Sequence, residues 1–122
     1  MKVRAKAIVH DRLFDESEHR SLTVGAIYEV VGIGGKHLRV IDDDGEPILF
    51  HAALFDVVDP AIPDDWVVNS YSDGENYFDP PEFAERYFYE DYFDGVDSAV
   101  KKFKAYLAKQ SLLYIGRPKG RA

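Results

Sequence analysis

The segment Leu38–Val58 constrains the fold more than any other part of the chain. Leu38–Ile41 is rich in β-branched residues, Asp42-Asp43-Asp44-Gly45 is a turn signal, and Pro47–Phe50 resumes the apolar run. Together they predict a β-hairpin. His51–Leu54 is too short for a helix and is expected to form one helical turn, leading into a short strand at Phe55–Val58. A hairpin, a single turn and a last strand in that order suit a small closed barrel.

The flanking sequence fits this frame. Lys2–Val9 alternates apolar Val3, Ala5, Ala7 and Val9 with cationic Lys2, Arg4 and Lys6, the period of a half-buried strand. Asp11–Ser21 is polar apart from Leu13 and Phe14 and reads as a long surface loop pinned by those two side chains. Ala26–Val31 is dense in β-formers, and Gly32-Ile33-Gly34-Gly35 is expected to end that strand. Pro60 and Pro63 cannot propagate a ladder. Beyond them Trp66-Val67-Val68 offers an extra edge strand with Trp66 as a core plug, followed by a polar loop over Asn69–Asn76.

Asp79-Pro80-Pro81-Glu82 has the ingredients of a capping box, an acid at the cap, proline at the first helical position and glutamate three residues after the cap. It predicts a helix running to about Phe93 and stopped at Asp94-Gly95. A second helix follows, with Val96, Val100, Phe103 and Leu107 as its apolar stripe and lysines on its other faces. Ser111–Ile115 either continues that helix or pairs as a strand, and Arg117–Ala122 reads as a disordered basic tail. The fold class expected is mainly β with α, a small SH3-like antiparallel β-barrel at about 2–58 and two C-terminal α-helices within about 79–115, forming one domain over residues 1–122. The alternative is an open antiparallel sheet covered by those helices.

A chain of 122 residues with 46% hydrophobic content supplies a core without a disulfide or a metal. It has no cysteine, which excludes thiol catalysis and cysteine-ligated zinc. The first residues alternate apolar with charged side chains, so neither a signal peptide nor a membrane span is expected, and the cytoplasm is the expected compartment. Charge is unevenly distributed: residues 1–58 carry 7 cations against 10 anions, residues 59–100 carry 1 against 12, and residues 101–122 carry 7 against none. The middle segment either keeps the protein soluble as a solvated acidic face or attracts a basic partner.

Motifs for chemistry are missing. Gly34-Gly35-Lys36 lacks the glycine five residues earlier and the Ser or Thr afterwards that a phosphate loop needs, since Val30 and His37 stand there. Aligning Gly45 with the glycine of a calcium loop puts Val40 at the first ligand position and His51 at the last. His10, His19, His37 and His51 never recur at helical ligand spacing, and no GxSxG occurs. No catalytic residue, cofactor or metal is therefore expected.

The most unusual stretch is Phe83–Phe93. On a continuous helix Ala84, Phe88 and Tyr92 share one face with Tyr87 beside them, Glu82, Arg86, Glu90 and Asp94 line the opposite face, and Tyr89 and Phe93 fall near the polar side. Either the second helix covers the remaining rings or some stay exposed among carboxylates. Exposed aromatic anchors in an acidic surround are the composition of a protein-binding surface. The candidate partner-binding residues are Asp73, Glu75, Asp79, Glu82, Glu85, Tyr89, Glu90, Asp91, Phe93 and Asp94.

Val24-Gly25, Tyr28-Glu29-Val30, Ile33, Leu38–Pro47, Ala53–Asp59, Ile62-Pro63 and Trp66 give residues 22–66 a likeness to a group of small bacterial proteins. The segment resembles SH3-like immunity proteins of contact-dependent growth inhibition and other polymorphic toxin systems. This resemblance implies a stoichiometric inhibitor of a cognate toxin domain. With the acidic middle segment, the expected partner is a basic toxin domain, most concretely a nuclease, bound by a monomer or weak dimer without nucleic acid or membrane. A nucleic-acid-associated or general protein-binding module is the alternative, with Lys2, Arg4, Lys6, Lys36 and Arg39 as a basic strip, although an acidic protein gains little from phosphate contacts.

Overall fold

The computed structural model describes residues 1–6, 21–70 and 74–115, the last five by their backbone alone. The chain divides into two compact units, Met1–Pro80 and Pro81–Ala122. The first is an antiparallel sheet of seven strands: β1 (Lys2–Ala5), β2 (Ile27–Gly34), β3 (His37–Ile41), β4 (Pro47–His51), β5 (Phe55–Asp59), β6 (Val67–Ser70) and β7 (Asn76–Asp79). The second contains a 3-10 turn at Pro81–Phe83, α1 (Phe88–Phe93) and α2 (Asp97–Ile115). The protein is thus mainly β with two C-terminal helices.

The hairpin forms as the sequence requires, with Leu38 opposite Phe50 and Val40 opposite Ile48. Its turn is held by Asp42, whose Oδ1 accepts from the N–H of Asp44 at 2.9 Å and of Glu46 at 3.0 Å. The expected helical turn is a 3-10 turn at Ala52–Leu54, capped by His51 Nδ1, which accepts from Ala53 N–H at 3.1 Å. Val3, Val30, Leu38, Val40, Phe50 and Phe55 make the centre of the core, with Trp66 packed against it.

Five strands follow the order β4-β3-β2-β1-β5, and no ladder among the described residues joins β4 to β5. The expected closed barrel is therefore an open sheet. Within the sheet, β2 runs past its contact with β1 and offers the rest of the same edge to β7. Lys2, Val3 and Arg4 pair with Glu29, Tyr28 and Ile27, while Phe78 and Tyr77 pair with Ile33 and Gly34. A bulge between Val30 and Gly32 re-aims the strand, so that consecutive Val30 and Val31 are both buried.

Gly32 and Gly34 consequently lie inside a strand and not in the connection expected there. A side chain at Gly34 would collide with the Tyr77 ring, and one at Gly32 would come within 2.6 Å of Asp79 Oδ1 and 3.2 Å of Arg39 Cβ. Strand glycines of this kind mark a close approach by a neighbour, which here is β7. The Trp66–Val68 edge strand is present as β6, and the polar loop expected after it contains part of β6 and β7. The first strand is seen over Lys2–Ala5, whereas residues 11–20 of the expected loop and the basic tail lie outside the described residues.

The single helix expected over residues 79–93 is two pieces. Asp79 ends β7 and caps no helix, the chain makes a 3-10 turn at Pro81–Phe83, and Tyr87 takes a left-handed conformation at φ 66° before α1. Burial of rings accounts for the break. Phe83 and Phe88 stand five residues apart, about 140° around a regular helix, and one helix cannot turn both toward the same core. With the chain broken they stack at 4.8 Å, and Phe83 also meets Phe103 at 5.7 Å and Tyr106 at 4.7 Å. The stop at Gly95 is as expected: Gly95 N–H donates to Tyr92 C=O at 3.1 Å and Val96 N–H to Asp91 C=O at 2.9 Å, with Gly95 at φ 77°. The buried stripe of α2 is Ala99, Phe103 and Tyr106, while Val96 is exposed. Phe103→Ala leaves a cavity among rings that cannot collapse, and it is expected to destabilise the helical unit by about 3 kcal/mol in urea unfolding.

Candidate functional site

The candidate acids separate by what each carboxylate already does. Glu82 lies 3.9 Å from Lys109 and Glu85 2.9 Å from Lys102, so α2 supplies cations to the turn that precedes α1. Glu90, Asp91 and Asp94 are exposed on α1 and its cap, with no ion pair among the described residues. Helical spacing puts Glu90, Asp91 and Asp94 on one stripe, and Tyr87 precedes them in the left-handed conformation at the start of α1. Tyr87 is 56% exposed and Phe93 50% exposed. The only cation of the 59–100 segment, Arg86, has its guanidinium 5.0 Å from the Tyr87 ring centre.

Of the two aromatic candidates, Tyr89 is half-buried, edge-on to Phe88 at 5.1 Å and near Phe83 at 6.0 Å. Its ring is part of the packing. Phe93 touches Tyr92 edge-on at 5.0 Å and otherwise presents an apolar surface beside carboxylates that have no ion pair among the described residues. Both alternatives open from the sequence are therefore realised: the second helix meets Phe83 and Tyr92, and Tyr87 and Phe93 stay out. Sequence reasoning placed Tyr87 beside the buried face. The break before α1 turns it outward, and no periodicity read across that break could have found it.

Glu75 and Asp79 belong to the sheet unit, and Asp73 lies outside the described residues. The exposed Glu75 has its carboxylate against Gly35. Asp79 is half-buried over Gly32, facing the Arg39 side chain across β2. Burial raises its pKa from 3.8 to about 6, opposed by the Arg39 charge. The Asp42 and Asp43 carboxylates are also engaged. Asp43 accepts from Tyr28 Oη at 2.6 Å and Thr23 Oγ1 at 2.9 Å, and burial followed by this hydrogen bond raises the Tyr28 pKa.

Four of the strip's five residues, Lys2, Arg4, Lys6 and Arg39, are engaged within the sheet. Lys2 lies opposite Asp59 and Arg4 opposite Asp56 on β5, Lys6 Nζ is 3.5 Å from Asp56, and Arg39 donates to Pro47 C=O at 3.1 Å. Among the described residues no group of three or more His, Asp or Glu could hold a metal ion, and no helix is long and apolar enough to cross a membrane. No family model, curated protein or solved structure matches the chain.

Asp79 has a measurable consequence. Its folded-state pKa lies above the unfolded value, so the folded chain holds the proton more tightly and ionisation opposes folding. The stability from this group is full below about pH 4 and is lost as pH rises through about 6. A displacement of that size corresponds to about 3 kcal/mol, which partial exposure reduces to about 1 to 2. Asp79→Asn is expected to raise the urea midpoint at about pH 7.5 and to flatten the decline between about pH 4.5 and that value. An unchanged pH profile would mean that Asp79 titrates as it does in the unfolded chain.

Proposed function

We propose that this chain is a cytoplasmic protein-binding module, most concretely an immunity protein that neutralises a cognate basic toxin domain, with a nuclease as the best match to its charge. The observation that carries this reading is the surface of α1, where Glu90, Asp91 and Asp94 have no cation partner among the described residues and stand beside exposed Phe93 and Tyr87. Carboxylates free of internal work accelerate encounter with a cationic partner, and a desolvated ring slows its departure. Inhibition would be steric and electrostatic: the acids occupy the ground on the toxin that holds phosphates, and no bond is made or broken. The resemblance of residues 22–66 to SH3-like immunity proteins supports the same reading from the other unit. The nucleic-acid alternative is weakened because Lys2, Arg4 and Arg39 already face acceptors in the sheet.

The test begins with the product of the adjacent reading frame, co-expressed with this chain, where co-purification is expected. Reversing Glu90, Asp91 and Asp94 to Lys should then slow association at least about tenfold and flatten its salt dependence. The fold should survive, because exposed charges contribute little to stability. Phe93→Ala should raise the dissociation rate at an expected loss of about 2 kcal/mol. Reversing Glu82 and Glu85, whose charges α2 already meets, should affect association less. Equal effects of the two sets would show that net charge alone matters and would remove α1 as the binding surface.

A further inference from the structure

We propose that the outer edge of β5 is a docking site for an extended cationic segment of a partner protein, added as one more antiparallel strand with Lys or Arg beside Asp56 and Asp59. This inference is independent of the α1 surface and concerns the sheet unit alone.

Three observations carry it. First, β5 ends the strand path, with β1 on one side and no hydrogen-bonded strand on the other among the described residues. Lys6 N–H donates to Leu54 C=O at 2.9 Å, and Arg4 faces Asp56 two residues further in the same register. Bonded and unbonded pairs alternate along an antiparallel ladder, so Asp56 turns its backbone toward β1. Val57 turns its N–H and C=O outward, where they can receive a strand. Second, Val57 and Val58 are 54% and 44% exposed, an apolar pair on a free edge between two acids.

Third, β1 shows what β5 selects. On the inner edge β1 places Lys2 opposite Asp59 and Arg4 opposite Asp56, with small apolar Val3 and Ala5 interleaved. Each acid stands between two neighbouring positions of the sheet, one on β1 and one on the open side. The charge pattern that fits the inner edge therefore fits the outer one. A second copy of this chain is the wrong occupant, since pairing two β5 edges gathers four carboxylates on one short ladder, and like charges across a ladder destabilise it. The acids and the bulge at Val58 thus guard the edge against self-association. They leave it open to a strand of opposite charge.

The experiment uses the whole chain and a capped peptide, Lys-Val-Arg-Ala-Lys-Ala, which repeats residues 2–7. In an amide-resolved NMR titration at low salt, the peptide is expected to shift Phe55–Asp59 and to slow exchange of the Val57 N–H. Its affinity should fall about tenfold or more between low salt and about 0.3 M salt. The acidic analogue Glu-Val-Glu-Ala-Glu-Ala should produce no shifts. Val57→Pro removes the outward donor without touching the β1 ladder and should abolish the response. If that variant fails to fold, the two peptides on the unaltered chain still decide. Equal binding of both peptides, shifts confined to α1, or a dimer in sedimentation that involves the same amides would each overturn the proposal.

Discussion

The structure depends on one strand having more hydrogen-bonding edge than its first partner can use. β2 is eight residues long, and β1 covers only its first part. The unpaired remainder would leave backbone donors and acceptors exposed on a sheet edge. β7 fills that length, and to do so it lays Tyr77 and Asp79 across β2, which is possible only because Gly34 and Gly32 present no side chains there. The two in-strand glycines and the half-buried Asp79 are one event seen at two levels.

Electrostatics is organised by the same competition for neighbours. Cations are few before residue 101, and those described in the sheet are drawn to acids or carbonyls within it, as with Arg4 and Asp56 or Arg39 and Pro47. In the helical unit α2 supplies lysines that reach Glu82 and Glu85. Exposed pairs of this sort add at most about 1 kcal/mol each, so their larger effect is to decide which acids remain unmatched. Net charge therefore says less than the distribution of unmatched acids. Residues 59–100 carry twelve acids, and those on α1 and its cap without an ion pair among the described residues form a compact group next to two exposed rings.

What could be read from sequence follows from range. The hairpin was legible because Asp42, Gly45 and the alternating strands act within a few residues, and Asp94-Gly95 was legible as a helix stop for the same reason. β7 was not, because Asp79 before Pro80-Pro81 is chemically the same signal whether it ends a strand or caps a helix. Only the length left over on β2 decides between them, and that is a property of distant residues. The helical wheel failed at Tyr87 for a related cause: stacking of Phe83 on Phe88 outweighed helical continuity, and the pattern of apolar residues alone carries no record of that competition. At the site, the sequence left open whether Phe93 would be covered, and the structure exposes it together with Glu90, Asp91 and Asp94. The pairing of Glu82 and Glu85 was hidden because Lys109 and Lys102 lie on another helix.

α1 is a helix made of locally unfavourable choices. It has six residues, short of what stands alone in water. It starts from a left-handed tyrosine, a conformation that strains a non-glycine residue. Glu90 and Asp94 are like charges four residues apart, and Asp94 sits at the negative end of the helix dipole with no basic residue in the last turn. Burial of Phe88 among Phe83 and its neighbours is sufficient to hold it. That burial needs neither Asp94, nor Glu90, nor an exposed Phe93, and replacing any of them with a neutral helix former would ease the local conflict. Conflicts of this kind, with no compensating ion pair among the described residues, concentrate at functional surfaces. The energetics of α1 thus lead to Glu90, Asp94 and the same ring that the charge pattern marks, by a route that makes no use of the partner's charge.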